Sequence, residues 1–211
     1  MYIQITTRCN MSCAHCCFAC TENGEDMSFN IFKKAIDFYS GYVSIGGGEP
    51  TLHKHFNKFL LYALGHCEGV WLATNGSNTE TSIVLAGMAS RGILGVALSL
   101  DDFHDPIDQE VIDAFQIDGK RQSNDFREIR DVSTSVSNAG RARSRKNQYN
   151  YGFIADNKCC CTELFVDPKG YVHGCGCKDA PIFGNVLKGN VVIPETWEYG
   201  ECYKDQPKNK D

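Results

Sequence analysis

Cysteine constrains this chain more than any other residue, because eleven of its twelve cysteines fall into two groups separated by a long middle that holds one. Cys9, Cys13, Cys16, Cys17 and Cys20 form the front group; Cys159, Cys160, Cys161, Cys175, Cys177 and Cys202 form the back group. Two separate sites are implied. Cys67, at the end of an apolar helical stretch, reads as a small core residue. A chain of 211 residues with 42% hydrophobic side chains can bury a real core, which excludes disorder and a small disulfide-stapled scaffold. It suits one domain, or one domain with an appendage.

Met1 to Asn10 has no basic start followed by a long apolar run, so a signal peptide is not expected. The longest apolar runs, such as Ile93 to Leu98, contain glycine and fall far short of the roughly 20 residues of a membrane span. A cytoplasmic protein without a membrane partner is expected. Thiols stay reduced there, so dense cysteine reads as metal binding or redox work before disulfides. A net charge of −5 argues against a nucleic-acid partner, and the run Arg141, Arg143, Arg145 and Lys146 reads as a solvated loop.

Through the middle, short strand-like runs alternate with longer helical ones. Strands are expected at Tyr2 to Thr6, Tyr42 to Ile45, Val70 to Thr74 and Leu94 to Leu100, with weaker ones at Asp131 to Val136 and Tyr151 to Ile154. Helices are expected from Ser28 to Tyr39, His55 to His66, Thr79 to Arg91 and Ile107 to Phe115, the first opened by Ser28 as a cap. The pattern predicts a parallel α/β sheet curling toward a partial, shortened (β/α)6-type barrel, since a full eight-unit barrel takes about 250 residues. Leu164 to His173 reads instead as a β-hairpin turning at Pro168 and Gly170. The expected division is a barrel core over 1–156 and a small cysteine-rich hairpin domain over 157–211.

Cys9, Cys13 and Cys16 are spaced Cys-x3-Cys-x2-Cys just after the first strand, at the edge where parallel α/β folds place their active sites. Three thiolates can hold three irons of a cubane cluster and leave the fourth open to another ligand. A zinc site would want a fourth donor, which His15 could supply. A ferredoxin-type site would use Cys13, Cys16 and Cys20 in part, but lacks one ligand and the proline.

Together with the next three strand ends, this spacing resembles the radical S-adenosylmethionine (radical SAM) superfamily, over about Tyr2 to Asp105. The second strand ends in Gly46-Gly47-Gly48-Glu49-Pro50, similar to the family's Gly-Gly-Glu-Pro; the third in Thr74-Asn75-Gly76; the fourth in Ser99-Leu100-Asp101, with His104-Asp105 following. The resemblance implies a [4Fe-4S] cluster on Cys9, Cys13 and Cys16 whose open iron chelates S-adenosylmethionine, and reductive cleavage of that cofactor to a 5′-deoxyadenosyl radical that takes a substrate hydrogen. It places His15 beside the adenine, Gly46, Gly47 and Gly48 where backbone can approach the cofactor's ammonium, Ser99 and Asp101 on the ribose or carboxylate, and Glu49, Thr74 and Asn75 among the cofactor-binding residues. Arg141, in Gly140-Arg141-Ala142, resembles a stretch that precedes the appended domain in some members, where a guanidinium could hold a carboxylate. No catalytic acid or base stands out.

In the back group nine residues separate Cys160 from Gly170 and four separate Gly170 from Cys175, which resembles the signature of SPASM and twitch auxiliary domains. That implies an auxiliary iron–sulfur cluster held by members of Cys159, Cys160, Cys175, Cys177 and Cys202, with zinc as the alternative. The family implies a peptide, protein or small-molecule substrate and a low-potential electron donor such as a flavodoxin or ferredoxin. The competing expectations are a non-catalytic iron–sulfur protein for electron transfer or sensing, and a zinc-stapled binding module.

Overall fold

The computed structural model describes residues 1–131, 140–144, 163–176 and 180–197. Five strands, β1 (Tyr2–Thr6), β2 (Tyr42–Gly47), β3 (Gly69–Thr74), β4 (Gly95–Ser99) and β5 (Arg127–Arg130), alternate with four helices, α1 (Phe29–Phe38), α2 (Phe56–His66), α3 (Thr79–Ala89) and α4 (Gln109–Phe115). Short 3-10 turns stand at Pro50–Leu52 and Gly140–Ser144, and β6 (Phe165–Val166), β7 (Tyr171–His173) and β8 (Ile182–Asn185) follow. All eight strands form one open sheet in the order β5-β4-β3-β2-β1-β6-β7-β8. It is parallel from β5 through β6 and antiparallel from β6 to β8.

Local chemistry places these elements. The Ser28 side chain accepts from the Ile31 N–H to open α1, and the Asn78 side chain accepts from the Thr81 N–H to open α3. In register across the sheet, Ile3 and Ile5, Val43 and Ile45, Val70 and Leu72, and Val96 and Leu98 share one face and are buried against the helices. Phe32 of α1 and Phe59 of α2 meet at 4.5 Å between ring centroids and are fully buried. Phe59→Ala is therefore expected to cost about 3–5 kcal/mol, read by denaturant melting. Leu61→Ala, on the exposed side of the same helix, is expected to change stability by less than about 0.5 kcal/mol.

The barrel-type sheet stays open, and the hairpin of β6 and β7 extends it from β1. The fifth strand lies at Arg127–Arg130, ahead of the expected Asp131 to Val136. It docks by a polar anchor: the Arg127 guanidinium donates to the Ala114 and Gln116 carbonyls at the end of α4 and pairs with Asp125 at 2.7 Å. That pairing holds the Asp125 carboxyl below its usual range. Residues 132–136 and the expected strand at Tyr151 to Ile154 lie outside the described residues. Among the described residues no helix is long and apolar enough to cross a membrane.

Candidate active site

The carboxyl ends of β1 to β4 converge on the front cysteine loop. Its base is closed by backbone pairs, the Thr7 N–H to the Glu25 carbonyl at 2.8 Å and the Cys9 N–H to the Thr21 carbonyl at 2.9 Å. Arg8 ties it sideways, reaching Asp26 at 3.1 Å and the Leu52 carbonyl at 2.7 Å. Within the loop Cys9, Met11, Cys13 and Cys20 are buried together, with Cys16, Phe18 and Phe103 packed against them. The three cysteines of the spacing thus share one pocket. Burial pushes the Cys9 thiol up and the Cys13 thiol up to about 11. The Cys20 thiol donates to Cys16, which holds Cys16 well below the usual thiol range and raises Cys20. Cys17 is half-buried beside them.

Gly46, Gly47 and Gly48 stand where three close approaches meet. A Cβ on Gly48 would run into the Arg8 carbonyl and Cys9, one on Gly47 into the Thr6 carbonyl, and one on Gly46 into the Tyr2 hydroxyl. The Gly48 N–H donates to Thr6 and the Glu49 N–H to Arg8, so the end of β2 is laid along the start of the cysteine loop.

The Glu49 carboxylate then ties its own turn to the end of β3. Its Oε1 accepts from the Thr51 N–H at 3.1 Å, the Thr51 hydroxyl at 2.7 Å and the Thr74 hydroxyl at 2.9 Å; its Oε2 accepts from the Asn75 N–H at 2.7 Å. Burial nonetheless outweighs these donors and raises its pKa. Asn75 carries the tie onward: its Nδ2 donates to the Asn10 side chain at 3.0 Å and approaches the Cys9 sulfur at 3.9 Å. The Met11 N–H donates to the same sulfur at 3.4 Å.

From β4, Ser99 is the last strand residue, paired in register with Arg130. The Asp101 side chain is fully buried, and its Oδ1 accepts from the Phe103 N–H at 2.9 Å and lies 2.8 Å from His104 Nδ1. His15 Nε2 lies 3.9 Å from Asp101 Oδ2, and the His15 ring packs on Phe103 at 4.7 Å and edge-on to His104 at 5.1 Å. His15 and Asp101 are therefore neighbours. Phe103 and His104 join them without having been assigned roles from the sequence; their signal was the turn that Asp101 makes with the residues two and three positions on.

Arg141 sits at the loop itself, with Nε on the Cys13 carbonyl at 2.9 Å and Nη1 on the Cys20 carbonyl at 2.6 Å. Of the back group, Cys175 is fully buried just past β7, and the adjoining Gly176 packs against Phe18 of the front loop. Cys159, Cys160, Cys161, Cys177 and Cys202 lie outside the described residues. Cys67 packs against the core of the sheet.

These residues fit an iron–sulfur cluster: three soft thiols in one buried pocket, with N–H donors aimed at the Cys9 sulfur. Comparison with known proteins agrees. The family model of the radical SAM superfamily matches residues 3–131. The mycofactocin maturase MftC of Mycolicibacterium smegmatis is 35% identical over 103 residues, 46% of this chain and 26% of that protein. The antilisterial bacteriocin subtilosin biosynthesis protein AlbA of Bacillus subtilis is 31% identical over 120 residues, 54% of this chain and 25% of that protein. The chain thus spans about a quarter of the length of these curated relatives. The solved structure of native anSMEcpe with bound AdoMet shares the fold at a TM-score of 0.55 and 16% identity, covering 90% of this chain and 78% of that one. The family match takes in every strand end that meets the cysteine loop and stops just past β5, and a chain carrying that whole segment in that fold belongs to the radical SAM superfamily, whose cofactors are a [4Fe-4S] cluster and S-adenosylmethionine.

Proposed function

We propose that the protein is a radical SAM enzyme that modifies a peptide or protein, with a small molecule as the other substrate class. The reading rests above all on one arrangement: Cys9, Cys13 and Cys16 in a single pocket onto which the ends of β2, β3 and β4 converge. When bound, the cluster and S-adenosylmethionine supply reductive cleavage of the sulfonium and abstraction of a substrate hydrogen atom. The chain's own part is to hold and orient. Cys9, Cys13 and Cys16 ligate three irons, and the Met11 N–H supports the Cys9 thiolate. His15 and Phe103 offer an aromatic surface for the adenine. Ser99 and Asp101 face the ribose or carboxylate, while the backbone at Gly46 to Gly48, with Thr74 and Asn75, receives the methionine end and Glu49 fixes their spacing.

Beyond this core, taken as 1–156, the region 157–211 serves as a short SPASM- or twitch-like domain. Cys159, Cys160, Cys175, Cys177 and Cys202 are its proposed ligands for an auxiliary iron–sulfur cluster; support comes from the sequence spacing and from burial of Cys175. A peptide substrate is favoured because the similar proteins include a maturase and a bacteriocin biosynthesis protein by name. A low-potential donor, a flavodoxin or ferredoxin, would deliver the electron in a reducing cytoplasm.

The test is anaerobic reconstitution followed by dithionite and S-adenosylmethionine, with 5′-deoxyadenosine measured by chromatography. Formation that depends on both additions is the expected result. A front site loaded with about four irons that yields none would leave a non-catalytic iron–sulfur protein as the reading.

A further inference from the structure

The cysteine loop has no regular secondary structure, so something else must fix the directions in which its thiols point. A clamp arrives from more than a hundred residues further along the chain. The Arg141 N–H donates to the Cys16 carbonyl at 3.0 Å, its Nε to the Cys13 carbonyl at 2.9 Å and its Nη1 to the Cys20 carbonyl at 2.6 Å. Two of these carbonyls belong to proposed ligands and the third to the buried cysteine between which they pack. The residue before it makes the approach feasible. Gly140 has φ +57°, in the left-handed region, and a Cβ there would strike the Cys16 and Cys17 carbonyls. Glycine for contact and arginine for reach therefore act as one unit across more than a hundred residues of sequence.

We infer that Arg141 is a positioning residue of the cluster site, holding the cysteine loop in its ligating shape through three carbonyls and easing reduction of the cluster with its fixed positive charge. In the structure this guanidinium grips the cysteine loop through the Cys13 and Cys20 carbonyls. The charge argument is direct. A guanidinium is permanently protonated, and here it is fixed by hydrogen bonds to carbonyls of the loop that gathers Cys9, Cys13 and Cys16. A cubane held by three thiolates is anionic and gains one more negative charge on reduction, so a nearby cation stabilises the reduced form more.

The inference rests on the front loop holding a cluster, and its two halves separate from that reading. Hydrogen exchange of the cluster-free protein tests the clamp: amides in 9–21 are expected to exchange at least tenfold faster in Arg141→Gln and Arg141→Lys than in the unaltered protein. Gly140→Ala, which keeps the guanidinium, is expected to do the same. Unchanged exchange in all three overturns the clamp, whether or not any cluster binds. An EPR-monitored titration of the reconstituted protein tests the charge. Arg141→Gln is expected to disfavour reduction by tenfold, about 59 mV more negative for one electron, while Arg141→Lys stays near the unaltered value. Equal potentials in Arg141→Gln and the unaltered protein at equal iron content overturn that half. If the unaltered protein takes up no iron, the cluster reading and the charge role fall together and the exchange data still decide the clamp.

Discussion

Replacing Cys9, Cys13 and Cys16 together by Ala is expected to remove about four irons per reconstituted chain and to reduce 5′-deoxyadenosine formation to background. The effect is large because the donors are not interchangeable with their neighbours. Cys17 is half-buried at the side of the pocket, so Cys17→Ala is expected to retain the iron and the activity. Cys20 is the sharper control, since it is buried among the proposed ligands and hydrogen-bonded to Cys16. If three thiolates hold three irons, Cys20→Ala keeps the iron count. Loss of iron as complete as in the triple variant would make Cys20 a fourth ligand and close the coordination place that S-adenosylmethionine needs. Loading should also release protons, because burial keeps Cys9 and Cys13 protonated until metal displaces the hydrogen. Iron content by colorimetry and proton release by a weakly buffered indicator are the two readouts.

The parts of this site that were legible in the sequence are those written in local spacing. Cys-x3-Cys-x2-Cys, the glycine run and Thr74-Asn75-Gly76 each lie at the end of a strand whose alternating apolar residues pack on the helices, so period and spacing reinforced each other. The strand at Arg127–Arg130 was not legible because it carries no apolar alternation. Its Ile129 is partly exposed, and the strand is held by Arg127 on the end of α4. The roles of Glu49 and Arg141 were out of reach for a different reason. Four donors on Glu49 come from two different turns that meet only once β2 and β3 are neighbours, and the carbonyls on Arg141 come from a loop 128 and 121 residues away. Asp101 and His15 were assigned separately and meet through the same convergence of strand ends.

Glu49→Gln is expected to destabilise the protein by about 1–3 kcal/mol, several degrees of melting temperature, although it changes one atom. A glutamine has one acceptor oxygen where the glutamate has two. If its oxygen keeps the three donors from Thr51 and Thr74, its NH2 group must face the Asn75 N–H, donor against donor in a buried site. The consequence passes to the cluster, because Asn75 is the residue that reaches Asn10 and the Cys9 sulfur. Cleavage of S-adenosylmethionine is therefore expected to fall along with stability. Glu49→Asp keeps the charge but is one methylene shorter, and is expected to hold one turn and release the other. A pH series distinguishes this account from simple loss of packing. Burial raises the folded-state pKa of Glu49 above its ordinary 4.5, so just above that pH the folded chain keeps a proton that the unfolded chain has lost. Stability then falls as pH rises through that window, by up to about 1.4 kcal/mol per pH unit, and levels off above the folded pKa. The slope should vanish in Glu49→Gln, which cannot ionise. An equal slope in both proteins would mean that another group carries it and that the carboxylate between the strand ends is already ionised throughout.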